Sequence, residues 1–577
     1  MLKLFKRLDK FDWIFLVILV AFVVAQVYFD VTIPGYTAEI VNEMISAGAT
    51  AQSILSIGLV MLLYALGSMA CTIVVYYIAS HVGSKLSQRL RRNVFEKVQS
   101  FSMEETNKFS TASLITRSTN DIQQVQLAFI MILRLAISAP IMAVWAIIKI
   151  NNGSGELTIA TALWVSLLVV FLAILYFIVV PKFKSLQKMT DKLNGVTREN
   201  LTGLKIVKAY NADSYEQKKF DKVNTDITKL NIFTNRILGS LQPAMLIIMN
   251  GLVLTIYWLG ASLINTGSIN IGTMLAFSSL AMQVLMAFMM LMMLLIIVPR
   301  ASVSAKRINE VLGSKISIID TASEDTFISK GEVEFKNVSF KYPGAEDYVL
   351  KDINFTVKQG ETVAIIGSTG SGKSTILNLI PRFYDASEGE VLVDGVNIKN
   401  VKQKTLRNIL GYVPQKGVLF TGTVNSNIGY SDNDMPAEKI EEASKVAKAY
   451  DFIEEMEKGF DSAIAQGGKN VSGGQKQRIS IARAVASDPE IFIFDDSFSA
   501  LDYKTDKEVR KNLKTKLKTA TKIIVAQRIG TILDADKIIV LEQGSMVGYG
   551  SHKELIKNCK VYQEIALSQL SPEELGL

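Results

Sequence analysis

The sequence predicts a membrane-embedded α-helical domain fused to a C-terminal soluble α/β domain. Three observations carry that prediction. Six apolar segments of spanning length, about 20 residues each, occupy the first half of the 577 residues. Near residue 300 the composition turns polar, and short β-rich runs then alternate with helical ones, as in an α/β layer. Within that second part, TVAIIGSTGSGKST (362–375) sets a glycine-rich loop between an apolar strand and a helical pattern.

The bulk properties agree. The chain is too long for one ordinary domain. Hydrophobic residues make up 49% and mean hydropathy is +0.27, high for a soluble protein. Lys plus Arg number 62 against 54 Asp plus Glu, a net charge of +8. Such a surplus suits nucleic acid or the cytoplasmic loops of a membrane protein. The placement of the charges favours the membrane, and nucleic acid is not an expected partner. Two cysteines, Cys71 and Cys559, make neither a disulfide framework nor a zinc pattern. The first apolar segment runs on too long for a cleavable signal peptide.

Taken in order, residues 1–12 read as an interfacial elbow helix. Leu4, Phe5, Leu8 and Phe11 share one face, with Lys3, Lys6, Arg7 and Lys10 largely off it. A six-helix transmembrane domain follows over 13–310, with spans near 13–33, 53–80, 126–148, 157–180, 240–264 and 272–298. Residues 34–52 and 265–272 lack Lys and Arg, whereas 81–125 carries Lys85, Arg89, Arg91, Arg92, Lys97, Lys108 and Arg117. The stretch 181–239 is Lys-rich as well, so both long loops and both termini are expected in the cytoplasm. Apolar residues at three- and four-residue spacing make these loops helical. A 30-residue helical arm would reach about 45 Å. Residues 311–330 form a polar linker, 331–565 the soluble domain, and 566–577 a weakly ordered tail.

The soluble domain carries the chemistry. Gly367, Ser368, Thr369, Gly370, Ser371, Gly372, Lys373, Ser374 and Thr375 match G-x-x-x-x-G-K-[ST] and its continuation. Glycines let successive backbone N–H groups turn toward phosphate oxygens, and a helix start favours negative charge. Lys373 supplies a point charge for terminal phosphates, and the Ser374 hydroxyl can ligate Mg²⁺. The apolar run IFIF (491–494) delivers Asp495 to the same place as a second Mg²⁺ ligand. In VSGGQKQRISIARA (471–484), Ser472, Gly473, Gly474 and Gln475 open another helix, a second anion site. One nucleotide does not need two such sites from one chain, whereas two chains facing head to tail use both.

With these motifs in order, the chain resembles the ATP-binding cassette (ABC) transporters, specifically exporter-type half-transporters in which six spans precede one P-loop nucleotide-binding domain. The resemblance covers nearly the whole length and implies ATP and Mg²⁺ as ligands. It implies that Tyr342 in FKYPG stacks on adenine. Gln415 in YVPQ would touch Mg²⁺ and sense the membrane domain. Ser472 to Gln475 would form the signature that completes the partner's site. Ser499, Ala500, Leu501 and Asp502 (SALD) would form the loop crossing the dimer interface. Short helices near 105–112 and 209–217 would dock on nucleotide-binding domains, the second on the partner's.

Two residues depart from that pattern. Asp496 stands where a glutamate acts as general base, and Gln527 in IIVAQRIGTI stands where a histidine touches the γ-phosphate. Losing one C–C bond of about 1.5 Å shortens the reach, and a misplacement of about 1 Å can lower the rate about 10²-fold. With the binding residues intact, the sequence points to the degenerate-site subunit of a heterodimeric bacterial multidrug exporter. Its partner would be a second half-transporter with the glutamate and histidine; a homodimer is the minor alternative. The expected activity is ATP-driven, alternating-access export of small amphipathic compounds (drugs, lipids or peptides) across the cell membrane. An importer of the same fold and a non-pumping regulator are the alternatives. Substrate candidates are Met282, Met286, Met289 and Met293, a flexible stripe on the sixth span, and Arg134, the conspicuous charge of the third. For both, plain packing or a structural pair is the competing reading.

Overall fold

The computed structural model describes residues 8–46, 50–151, 154–320 and 330–575. It divides into two compact units. One comprises the chain up to Gln99 together with Thr111–Ser314; the other comprises Ser100–Ser110 and the chain from Lys315 onward.

Among the described residues, the first unit holds six helices long and apolar enough to cross a membrane: α1 (Lys10–Ile45), α2 (Ala51–Gln99), α3 (Thr111–Asn151), α4 (Gly155–Thr202), α5 (Asp213–Asn265) and α6 (Ile271–Leu312). They bear out the six expected spans, but each runs well past its apolar segment. Residues buried along α1 fall at helical spacing, as Leu16, Leu19, Val23, Val27 and Val31. The opposite faces bear large exposed apolar groups such as Val17, Phe177 and Trp258. Water would penalise that surface and lipid welcomes it. Gly251 on α5 admits the Trp164 ring of α4, since a Cβ there would lie 2.2 Å from it. The Trp164 indole N–H donates to Thr255 Oγ1 at 3.1 Å.

Of the elbow helix, residues 1–7 lie outside the described residues. Lys10 to Asp12 form the first turn of α1 rather than a separate helix. Asp12 is buried and pairs with Arg89 of α2, whose guanidinium also reaches Asp9 at 2.6 Å. Below the spans, Asp121 of α3 accepts from Ser304 Oγ of α6 at 2.7 Å. Arg117 of α3 pairs with Glu310 at 3.0 Å. The helical arms are thus cross-tied by charge. The segment between α4 and α5 places a short helix at Leu204–Ala209, a little before the expected 209–217. Of the linker, 311–312 complete α6, and 321–329 lie outside the described residues.

The second unit is an α/β domain with two main sheets and a small two-stranded one. Strands β1 (Val333–Phe340), β2 (Leu350–Val357), β4 (Glu388–Val393) and β5 (Val396–Asn397) form an antiparallel sheet in the order β2-β1-β4-β5. The larger sheet has the order β12-β11-β3-β10-β9-β6. It combines β3 (Thr362–Gly367), β6 (Leu410–Val413), β9 (Ile491–Asp495), β10 (Thr521–Val525), β11 (Lys537–Glu542) and β12 (Ser545–Gly550). Only β12 in it runs antiparallel, and β7 (Gly422–Thr423) pairs with β8 (Ala463–Ile464) apart from it. The inner strands are buried on both faces, as parallel strands between helical layers must be; every residue of β9 and β10 is buried. Three helices matter below: α7 (Lys373–Leu379), α8 (Gly473–Ala486) and α9 (Tyr503–Lys516).

The tail differs from expectation. Gln569 accepts from the Ile529 N–H at 2.8 Å and donates to the Gln527 carbonyl at 2.9 Å. Leu575 is buried, its carbonyl 3.3 Å from His552 Nε2. Ala566, Leu570 and Leu575 give the segment a face to bury, and polar spacing had hidden it.

Candidate nucleotide-binding site

The site lies where the parallel strands end at their C-terminal edge, the place such sheets offer to ligands. β3 runs beside β10, and β10 beside β9, so Gly367, Val525 and Asp495 finish close together. The loop between β3 and α7 requires its glycines. Gly370 and Gly372 have φ of +83° and +99°, a region that side-chain-bearing residues avoid. At Gly367 a Cβ would fall 2.2 Å from the Leu541 carbonyl oxygen. Lys373 curls back over this loop, its Nζ donating to the carbonyls of Gly367 at 2.9 Å and Ser368 at 2.7 Å. Burial lowers its pKa, against the opposing pull of Asp496 and Asp495. The Ser371 hydroxyl is buried with no hydrogen-bond partner among the described residues.

Ser374 Oγ donates to Asp495 Oδ1 at 2.8 Å. Burial raises the Asp495 pKa first of all, and the neighbouring Asp496 charge adds to this, while Ser374 and Lys373 oppose it. A buried carboxylate beside a hydroxyl is a set of hard oxygen donors and fits Mg²⁺. The loop likewise fits a polyphosphate: it offers turned backbone, a cation, and a buried hydroxyl with unused capacity. When bound, Mg²⁺ would neutralise charge developing on the terminal phosphate.

Asp496 has a backbone φ of +47°. The turn puts two consecutive carboxylates at one strand end. Its Oδ2 accepts from Gln415 Nε2 at 3.1 Å and from Gln527 Nε2 at 2.9 Å. All three residues singled out for catalysis therefore converge on one oxygen. Tyr342 is half-buried; its hydroxyl lies 3.1 Å from Thr375 Oγ1 and its ring meets Tyr384 edge-on at 5.3 Å.

The signature residues sit apart from this cluster, and among the described residues no hydrogen bond or ion pair joins them to the phosphate loop. Ser472 caps α8 by accepting from the Gln475 N–H at 3.3 Å, and Gln475 Oε1 accepts from the Ser472 N–H at 2.9 Å. This reciprocal cap leaves Ser472 and Gly473 exposed. In the SALD loop, Ser499 Oγ donates to the Asp496 carbonyl at 2.8 Å, Leu501 is buried, and Ala500 is exposed. Asp502 caps α9 through the Thr505 N–H at 3.0 Å. A Cβ on Gly474 would lie 3.4 Å from the Ala500 carbonyl oxygen, so the signature and the interface loop adjoin.

Sequence reasoning missed one contact of the site. In the short helix Met103–Lys108, Asn107 Nδ2 donates to Tyr384 Oη at 2.9 Å. This helix overlaps the expected docking helix near 105–112 and packs with the soluble domain's residues; Glu105 in it accepts from the Ser317 N–H at 2.9 Å. Tyr384 in PRFYDAS follows α7 closely enough to have been suspected, whereas nothing in the sequence singles out Asn107. Neither histidine reaches the site. His81 lies near Phe15 and Tyr77, and His552 Nδ1 is 2.7 Å from Tyr562 Oη.

The membrane-domain candidates are scattered. Met286 and Met293 are exposed, while Met282 and Met289 are half-buried. Arg134 sits in a π-helical turn, Ile132–Ala136, its guanidinium carbon 3.2 Å from the centre of the Tyr76 ring. The structure therefore gives Arg134 a partner within the bundle.

A six-span helical unit and a phosphate-loop α/β unit on one chain define a membrane transport ATPase that works as a dimer. The family model for the ABC transporter transmembrane region matches residues 15–288, and the ABC transporter model matches residues 350–499. An uncharacterized ABC transporter ATP-binding protein of Mycobacterium tuberculosis is 37% identical, with 94% of each chain covered. The uncharacterized ABC transporter ATP-binding protein YfiB of Bacillus subtilis is 36% identical over 90% of this chain and 89% of that one. An ATP-dependent lipid A-core flippase of Desulfotalea psychrophila is 33% identical over 85% and 86%. Among solved structures, a bacterial Atm1-family ABC exporter with ATP bound matches with a TM-score of 0.78 and 26% identity, covering 96% of this chain and 97% of that one. The chain belongs to the ABC transporter family, with an exporter-type fold. It is accordingly a multi-pass membrane protein whose cassette binds ATP, normally with Mg²⁺, and couples hydrolysis to transport.

Proposed function

We propose that this chain is the slow-hydrolysing half of a heterodimeric exporter of amphipathic compounds. The observation that carries the reading is the state of Asp496. Its side chain is one methylene shorter than a glutamate, and its Oδ2 already accepts two amide N–H bonds, from Gln415 and Gln527. A general base must reach the proton it takes and have a free lone pair aimed at it. Asp496 is short in reach and half engaged, and the Gln527 amide has no proton to exchange near neutral pH. The phosphate loop, Ser374 and Asp495 keep every feature needed to hold Mg²⁺ and ATP. The exposed Ser472 and Gly473 are free to complete a competent site on a partner that carries the glutamate and histidine.

A partner also suits the second cytoplasmic loop. Leu201, Ile206, Tyr210 and Tyr215 there are exposed apolar or aromatic groups. In this reading they dock on the partner's nucleotide-binding domain, and both termini and the cassettes face the cytoplasm. Closing the cassettes on ATP then turns the spans from inward-open to outward-open, and hydrolysis at the competent site resets them. The exposed methionines of α6 suit varied apolar cargo. The test is to purify the chain with the subunit that accompanies it and compare two neutralised complexes. Asp496→Asn is expected to leave most ATP turnover in place, and changing the partner's glutamate to glutamine to remove it. Equal losses from the two changes overturn the asymmetric reading.

A further inference from the structure

At the opposite end of the large sheet from the phosphate loop lies a cavity of about 250 Å³, lined by Thr362 of β3, Lys522 of β10, and Lys507, Arg510, Lys511 and Lys514 of α9. None of the transport chemistry uses it. Its charge is unusual. Lys522 is buried, and its ammonium is held by the carbonyls of Leu517 and Ala520, each at 2.7 Å, rather than by a carboxylate. Arg510 is engaged by Asp506, Nε to Oδ1 at 2.7 Å. Lys514 Nζ meets the Asp534 carbonyl oxygen at 3.3 Å. Asp534 lines the cavity, and Asp536, whose Oδ2 accepts from the Thr362 N–H, lies beside it. Five cations thus face three carboxylates, a formal surplus of two positive charges. Ala364, Leu513, Ile524 and Ala535 give the cavity an apolar floor. A small, partly apolar wall under convergent charge is the usual form of a site for a compact ligand.

We propose that this cavity binds a small phosphate monoester, a free phosphorylated metabolite, whose dianion neutralises the surplus charge around Lys522. Lysine suits phosphate as a point charge, and a phosphate monoester carries about −1.5 to −2 at pH 7. The volume excludes a large polyanion. Independently of the geometry, burial pulls the Lys522 pKa down to about 8, helped by Lys514 and opposed by Asp536. A group so placed gains from an anion brought next to it. The site also has a route to the proposed dimer interface, because the α9 that supplies four of its cations is capped at its N-terminus by Asp502 of the SALD loop.

The depressed pKa supplies the test. Near neutral pH, Lys522 has a neutral fraction about 10²-fold above that of an ordinary lysine at about 10.4. Pyridoxal 5′-phosphate is itself a phosphate monoester. The Lys522 amine would add to its aldehyde carbon, water would leave, and borohydride would reduce the imine to a secondary amine. The full chain, purified with its accompanying subunit in lipid nanodiscs and saturated with Mg²⁺-ATP to shield Lys373, is labelled and mapped by mass spectrometry. Lys522 is expected to label at least about tenfold faster than exposed Lys504 and Lys516, and glycerol 3-phosphate to protect it. The exposed pair Lys507→Glu and Lys511→Glu, checked for unchanged melting, is expected to slow that labelling about tenfold. Even labelling of all lysines, protection absent, or protection given only by phosphatidic acid vesicles overturns the proposal.

Discussion

If Asp496 limits hydrolysis by reach and by its two amide bonds, lengthening it and releasing one bond restores activity. The perturbation is Asp496→Glu with Gln527→His, made in a complex whose partner site is already disabled, so only this chain's site turns over. The added methylene carries the carboxylate about 1.5 Å further. That is more than the misplacement of about 1 Å that lowers rates about 10²-fold, or about 2.7 kcal/mol of barrier. Asp496→Glu alone keeps the amide of Gln527, now 2.9 Å from the aspartate oxygen, in the way of the longer side chain. The single variant is therefore expected to gain about tenfold or less, and the double variant about 10². The assay is phosphate release under saturating Mg²⁺-ATP, with nucleotide retention measured in parallel. A double variant that retains ATP and hydrolyses no faster than the parent refutes the reasoning.

Other outcomes follow from the same structure. Arg89→Ala leaves the buried Asp12 carboxylate without its ion partner. The loss is expected at about 3–5 kcal/mol, read as a lower melting temperature in nanodiscs and relieved in part by adding Asp12→Asn. Asp495 has a raised pKa, so it takes up a proton at a higher pH than an ordinary aspartate. Mg²⁺ must displace that proton, so its affinity is expected to start falling at a higher pH than an ordinary aspartate near about 3.9 would give. A Mg²⁺ titration of ATP binding checks this, and Asp495→Asn should flatten the profile. Asn107→Ala removes a single neutral hydrogen bond to Tyr384, worth about 1 kcal/mol. ATP binding should hold while stimulation of turnover by transported compound falls.

The sequence showed what rests on local pattern. Six apolar runs announced six spans because lipid demands about 20 apolar residues in a row. IFIF announced β9 because a strand buried on both faces has no polar alternation. It also marked Asp496 and Gln527 as departures, 31 residues apart, without showing that the second donates to the first. Features that depend on distant partners stayed hidden. Asp12 looked like part of an interfacial helix until Arg89, 77 residues away, was found beside it. Arg134 looked like a lone charge because the ring of Tyr76 that receives it is on another helix. Lys522 carries no local signal of its own, since only the packing of α9 encloses it. The spans exceed their apolar runs because helical hydrogen bonding continues into the polar arms, where the periodicity is weaker and charge pairs replace lipid contact.

The contact from Asn107 to Tyr384, and from Tyr384 to Tyr342, would give the cassette a way to tell nucleotides apart by more than affinity if Tyr342 stacks on adenine. On the proposed adenine contact, a purine must move or pin the Tyr342 ring, and Tyr384 leans on that ring while holding Asn107. A triphosphate without a stacking base would fill the cradle around Lys373 and leave these rings undisturbed. Such a ligand would occupy the engine without engaging its clutch: bound, even tightly, and silent at the helix that Asn107 belongs to.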